Sequence, residues 1–212
     1  RRGVEHRRDV DRADAEVVGL ADANVESARK LAARFGIAKT YASLEALLAD
    51  QPVDVVHILT PPASHRELTL QAVDRGVHVL VEKPLALTLE DAKEILSRAA
   101  AKGVIVCPDF IQLFHPRMTA AADVIESGRF GKVVSCECHF GLDLNMPELK
   151  EARGLHWSYL LPGGVLQNYI THPLYLVMRW TGAAKTIHVA HRSLGALPQG
   201  MTDQLDILID GE

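Results

Sequence analysis

The hydrophobic positions in the first half of the chain predict a parallel sheet covered by helices. Its predicted strands are four continuous apolar runs, at 16–21, 53–59, 77–81 and 104–107. Runs without polar alternation are typical of strands that are buried on both faces. Amphipathic helices separate the runs, with predicted starts at Asn24, Thr88 and a capping box formed by Ser64 and Glu67. This succession favours an α/β class with a doubly wound, Rossmann-like sheet.

The pattern changes near residue 115, and a second domain is predicted from there. Its predicted strands are 132–140, which alternates strictly, and 186–194 and 204–210. Alternation is typical of antiparallel strands with one wet face. A helical stretch is expected from Gly163-Gly164 to Trp180. We therefore predict a first, α/β domain at 1–115 and a second, α+β domain at 116–212.

Composition and charge narrow the function classes. The 212 residues carry a net charge of -4, which argues against a nucleic-acid partner, since such proteins usually show a basic face. No apolar run approaches the ~20 residues of a membrane helix, so no membrane partner is expected. The odd count of three cysteines favours a reducing, cytoplasmic location. Cys136 and Cys138 beside His139 suggest a metal site, but one apolar strand face explains both cysteines, and no metal is expected.

Polar residues follow three of the predicted strands, and ligands of open parallel sheets bind at the carboxyl ends of strands. These residues are Asp22, the stretch Thr60 to His65, and Glu82 with Lys83. An acid at the position of Asp22 bonds the ribose 2′-OH in dinucleotide-binding sheets and favours NAD over NADP, although a plain helix-entry aspartate is the alternative.

A glycine-rich phosphate turn should lie roughly 20 residues before such an acid. Residues 1–18 contain a single glycine, Gly3, and no apolar strand. We therefore expect the first strand and the glycine turn to lie upstream of residue 1, and a truncated chain.

Three segments carry a family resemblance: TPPASH at 60–65, VHVLVEKPLALT at 77–88 and GGVLQNYITH at 163–172. In this order they resemble the glucose-fructose oxidoreductase and inositol dehydrogenase family, Gfo/Idh/MocA. The resemblance implies an incomplete dinucleotide-binding Rossmann domain at 1–115, joined to a second domain with an open antiparallel sheet. That second domain, at 116–212, would be an incomplete α+β substrate and oligomerisation domain. It also implies an NAD(P)-dependent oxidoreductase for sugars or polyols, which forms homo-oligomers through the second-domain sheet.

The resemblance also assigns roles to single residues. Thr60, Pro61 and His65 match the stretch that lines the cofactor crevice, and Glu82 matches a residue that positions the cofactor. Lys83 matches the lysine near the nicotinamide and the reacting hydroxyl, and Lys83-Pro84 is a candidate cis bond.

His172 matches the histidine that approaches the substrate from the second domain, as a base or as a hydrogen-bond donor. A structural histidine is the alternative. Asn168 lies four residues before it and would share its face on one helix. Trp157 is a candidate platform for a sugar ring or, alternatively, part of a packed loop.

Three positions depart from the family pattern. Asn168 and Tyr175 stand where acids are common, and Ile111 replaces a common asparagine. These departures and the missing glycine turn leave a second interpretation open, in which the chain is a non-catalytic packing or oligomerisation module without cofactor.

Overall fold

The secondary structure comes from a computed structural model that describes residues 15–141, 157–195, 197 and 202–211. The strands are β1 (Leu20–Ala21), β2 (Thr40–Tyr41), β3 (Val55–Ile58), β4 (His78–Glu82), β5 (Val106–Asp109), β6 (Thr186–Arg192) and β7 (Gln204–Asp210). The helices are α1 (Val25–Phe35), α2 (Leu44–Asp50), α3 (His65–Asp74), α4 (Leu89–Lys102), α5 (Pro116–Glu126), α6 (Gly164–Tyr169) and α7 (Thr171–Thr181). Short 3-10 turns cover Pro62–Ser64, Ile111–Phe114 and Trp157–Leu160.

The chain divides into two compact units. The first takes in Arg1–Val81 and Thr88–Cys107, and the second takes in Glu82–Leu87 and Pro108–Glu212. The division that the sequence places at residue 115 stays a prediction.

Parallel pairing organises the first unit. β1 pairs with β2, and β3 pairs with β4 in a sheet whose order is β3-β4-β5. The core of this unit contains side chains that are at most 2% exposed, among them Val79 and Val81 of β4 and Ile95 of α4. Burying each such side chain stabilises the fold by roughly 1.5–3 kcal/mol. The predicted α/β class with a parallel sheet is confirmed.

The helix ends of the first unit follow the predicted capping chemistry at most positions. The side chains of Asn24 and Thr88 accept hydrogen bonds from the first turns of α1 and α4, and these helices end at Gly36 and Gly103, both with φ +68°. The capping box at Ser64 is wrong. The Ser64 hydroxyl lies 2.7 Å from Thr60 Oγ1 and 2.9 Å from the Pro61 carbonyl oxygen. A 3-10 turn precedes α3, and because of it the hydroxyl contacts residues before Ser64 and does not cap the first turn of α3.

The second unit contains an antiparallel pair, as predicted. β6 and β7 pair over their full length, from Thr186 with Asp210 to Arg192 with Gln204. The predicted strand 132–140 is wrong, since the described residues 131–141 contain neither helix nor strand, and Val134 is 97% exposed. An alternating pattern specifies which face a strand would bury, but a strand also needs a hydrogen-bonded neighbour, which local sequence does not supply.

The helical stretch before Trp180 is two helices. α6 ends at Tyr169 and α7 begins at Thr171, with Pro173 in the first turn of α7, where a missing N–H is tolerated. Asn168 and His172 therefore lie on consecutive helices, so the single helix on which they would share a face is not formed; a spacing of four residues gives a shared face only on one continuous helix, and Pro173 favours a kink.

Candidate functional site

A buried lysine lies at the centre of the candidate site in the second unit. Lys83 follows the last residue of β4 and is 8% exposed. Its Nζ donates to the Asn168 carbonyl oxygen at 2.6 Å and to Asn168 Oδ1 at 3.0 Å, and lies 5.3 Å from the centre of the Tyr169 ring. The Lys83-Pro84 peptide bond is cis. The ammonium thus contacts two oxygens of Asn168 on α6 and an aromatic face.

Helix α6 is tied to the segment that carries the lysine. Gly163 N donates to Gln167 Oε1 at 2.8 Å, and Gln167 Nε2 donates to the Leu87 carbonyl at 3.4 Å. Gly164 begins the helix at φ +60°, a conformation that glycine adopts without a Cβ penalty. Gln167 and Tyr169 were not singled out from the sequence, although both lie inside the segment that carries the family resemblance.

His172 has a hydroxyl partner. Its Nδ1 lies 2.8 Å from Tyr175 Oη, and the two rings meet edge to face. Tyr175 is 8% exposed, stacks on Phe110 at 4.4 Å and accepts a hydrogen bond from Gln112 N at 3.2 Å. The sequence identified Tyr175 only as a departure from an acidic position. Phe110 and Gln112 were missed, since only tertiary packing brings them to α7.

The environment of Tyr175 keeps its hydroxyl protonated. Burial raises the pKa of Tyr175 above its ordinary value. The Gln112 N–H opposes this shift, and the carboxylates of Asp109 and Glu82 reinforce it. Tyr175 is therefore a neutral O–H group at physiological pH.

Aromatic side chains flank the lysine and the histidine. Phe140 has its ring centre 6.3 Å from that of Tyr169 and 6.4 Å from that of His172, and it is 50% exposed. Trp157 is half-buried at the start of a 3-10 turn whose Ser158 is fully buried.

The remaining predicted site residues lie in the first unit, with the exception of Glu82. Asp22, Thr60 and Pro61 are exposed after β1 and β3. Asp22 Oδ1 accepts from Asn24 N at 2.7 Å, so this carboxylate also serves the helix-entry role weighed as the alternative. His65 is fully buried, and its Nε2 lies 2.8 Å from the Thr60 carbonyl oxygen, so that it shapes the turn. The convergence of both groups on one crevice stays a prediction.

The described part of the chain holds no group of three His, Cys, Asp or Glu side chains arranged for a metal ion. Within the same residues, every helix is too short or too polar to cross a membrane.

The parallel sheet, with polar residues at its strand ends, defines a dinucleotide-binding protein of the Rossmann type. Residues 3–110 match the GFO_IDH_MocA model, described as an oxidoreductase family with an NAD-binding Rossmann fold. The chain belongs to this family. The resemblance, the nicotinamide cofactor and the oxidoreductase class expected from the sequence are confirmed at the level of the family.

Two curated relatives and a solved structure illustrate the similarity. The chain is 40% identical over 198 residues to 1,5-anhydro-D-fructose reductase of Ensifer adhaerens, covering 89% of the chain and 56% of the relative. It is 34% identical over 135 residues to D-xylose 1-dehydrogenase (NADP(+)) 2 of Haloferax volcanii, and the match covers 64% of the chain and 41% of the relative. The structure of an NAD binding oxidoreductase from Klebsiella pneumoniae superposes with a TM-score of 0.75 at 25% identity, and the match covers 93% of the chain and 55% of that protein. The chain spans about half the length of the curated relatives it matches.

Proposed function

We propose that this chain is the cofactor-binding and catalytic part of an NAD(P)-dependent oxidoreductase that acts on a secondary alcohol of a sugar or polyol. The observation that carries the proposal is the buried ammonium of Lys83, held by Asn168 in a member of an NAD-binding oxidoreductase family. The names of the two relatives, a reductase and a dehydrogenase of sugars, support the substrate class.

The residues of the first unit fit a dinucleotide. β3 ends at Ile58, and the chain continues from this strand end into Thr60. Thr60 and Pro61 are exposed to line a crevice, and the exposed carboxylate of Asp22 suits ribose hydroxyls. Asp22 would repel a 2′-phosphate, so we propose NAD(H) as the preferred cofactor.

Lys83 has the environment of a proton acceptor. A bound nicotinamide dinucleotide supplies a site for the hydride, and the protein supplies orientation and an acceptor for the hydroxyl proton. Burial disfavours the charged form of a lysine. The two oxygens of Asn168 are neutral and stabilise the ammonium less than a carboxylate would. Asn168 therefore orients the Lys83 ammonium, and we propose Lys83 as the group that takes the hydroxyl proton.

The second unit offers the substrate contacts. His172 lies on α7 with its Nδ1 held by Tyr175, and we propose that it contacts the reacting part of the substrate. Trp157 is proposed as a stacking surface for the ring of the substrate, and Glu82 as a residue that positions the cofactor.

The non-catalytic alternative receives no support from the comparisons, since the family is NAD-binding and its named relatives are enzymes. Association of identical chains through the β6–β7 sheet stays a proposal. Ile187 and Val189 of β6 are 56% and 55% exposed on the same face, which is consistent with it.

The test compares Lys83→Ala with Lys93→Ala, a matched change at an exposed lysine of α4. We expect Lys83→Ala to lower kcat about 10²- to 10⁴-fold, the usual contribution of a general base, while NADH binding changes little. Turnover is measured with NAD and a panel of sugars and polyols, and binding is measured by NADH fluorescence. Unchanged turnover in Lys83→Ala, with Lys93→Ala also unchanged, would contradict the role of Lys83.

A further inference from the structure

The hydrogen bonds of Tyr175 determine which nitrogen of His172 carries a proton. In the described part of the chain, Tyr175 Oη has two hydrogen-bond partners, the Gln112 backbone N and His172 Nδ1. A backbone N–H can only donate, so Gln112 occupies a lone pair of the phenol oxygen. The hydroxyl hydrogen of this buried side chain then has one acceptor within reach, which is His172 Nδ1.

The reverse arrangement would leave a buried donor unsatisfied. If His172 Nδ1–H donated to Tyr175, the phenol oxygen would accept twice, and its own hydrogen would point at no acceptor. Buried hydroxyl groups are rarely left in that state. The stack of Phe110 on the Tyr175 ring holds the phenol in place, so the ring does not turn towards another partner.

We infer that Tyr175 is a positioning residue that fixes neutral His172 in the tautomer with its proton on Nε2. Because a histidine with an accepting Nδ1 carries its hydrogen on Nε2, it donates from Nε2 and offers no basic lone pair there. This inference rests on the proposed function and assigns separate roles in it to His172 and Lys83. His172 donates a hydrogen bond to an oxygen of the substrate, and Lys83 accepts the hydroxyl proton.

A carboxylate at position 175 would have the opposite effect. A carboxylate is an acceptor only, so beside Nδ1 it requires an Nδ1–H and leaves Nε2 with a basic lone pair. Tyr175 therefore gives this chain a different histidine chemistry from that of a chain with an acid in contact with Nδ1.

The tautomer can be observed directly by NMR. The chain is labelled with ¹⁵N-histidine, and two-bond ¹H–¹⁵N spectra are recorded at about pH 8, where histidine is ordinarily neutral. The signals of His172 are those missing from His172→Gln. We expect the Nε2–H pattern in the unmodified chain, a shift towards a mixture in Tyr175→Phe, and the Nδ1–H pattern in Tyr175→Glu.

Tyr175→Phe keeps the ring that stacks on Phe110 and removes only the hydroxyl, so a folded variant is expected. Tyr159→Phe is the matched control and should leave the pattern unchanged. An Nδ1–H pattern in the unmodified chain would overturn the inference. An Nε2–H pattern with identical shifts in Tyr175→Phe would overturn it as well.

Turnover gives an independent readout. Glutamine at position 172 keeps an N–H donor but cannot accept a proton, so His172→Gln should retain about tenfold more kcat than His172→Ala. Equal losses in both variants would contradict a donor role. The NMR result requires neither cofactor nor substrate, so a failed Lys83 test would refute the proposed function and leave the tautomer assignment standing.

Discussion

The contact between Lys83 and Asn168 predicts a measurable coupling energy. In Asn168→Ala the lysine loses the amide oxygen at 3.0 Å but keeps the backbone carbonyl at 2.6 Å, since alanine retains it. The ammonium is therefore not left alone, and the cost should stay below the 3–5 kcal/mol of a stranded buried charge.

The magnitude follows from the chemistry of the lost bond. A hydrogen bond to a charged group contributes about 1.5–3 kcal/mol, and Lys83 at 8% exposure and Asn168 at 3% exposure are little screened by solvent. We expect Asn168→Ala to lower the free energy of unfolding of the second unit by about 2 kcal/mol. In a cycle with Lys83→Met and the double variant, the coupling should be about 1.5–3 kcal/mol.

The tryptophans make the assay specific for one unit. Trp157 and Trp180 are the two tryptophans of the chain, and both belong to the second unit. Urea unfolding followed by their fluorescence therefore reports on that unit, while far-UV circular dichroism also reports on the first. Asn24→Ala is the matched control. It removes the α1 cap of the first unit at a cost of about 1 kcal/mol and should leave the urea midpoint of the fluorescence transition unchanged. A coupling below about 0.5 kcal/mol, the usual limit for independent sites, would refute the reasoning.

Two further predictions concern the first unit. Hydrogen bonds from Tyr41, Lys39 and Gln51 hold the pKa of Asp50 well below its usual range. The ionised Asp50 carboxylate therefore stabilises the folded chain above the pKa of an unfolded aspartate, about 3.9, and this stabilisation is lost as the pH falls below that value. Urea unfolding followed by circular dichroism at decreasing pH should show that Asp50→Asn loses less stability on acidification than the unmodified chain. Equal losses in the two proteins would contradict this. Asp22→Asn should narrow the preference for NADH over NADPH by about tenfold, the effect of one hydrogen bond to a charged group. A side-by-side fluorescence titration measures the preference, and an unchanged ratio would remove Asp22 from cofactor selection.

The amino-acid sequence alone determined most of the first unit. Apolar runs placed β3, β4 and β5 to within about two residues, the usual uncertainty of such boundaries. Asn24 and Thr88 marked helix starts, because capping is a contact between a side chain and backbone N–H groups three residues away. The family resemblance points to Lys83, His172 and the departure at Tyr175 from the sequence alone.

Tertiary structure decided what depends on distant partners. The alternation at 132–140 predicts a strand, but pairing requires a neighbour that the local pattern cannot provide. Lys83 and Asn168 are 85 positions apart, and Gln112 and Tyr175 are 63 apart. No periodicity in the sequence links residues so far apart, because their contact follows from the packing of whole elements. The contact of the lysine with Asn168 and the tautomer inferred for His172 are for that reason properties of the fold.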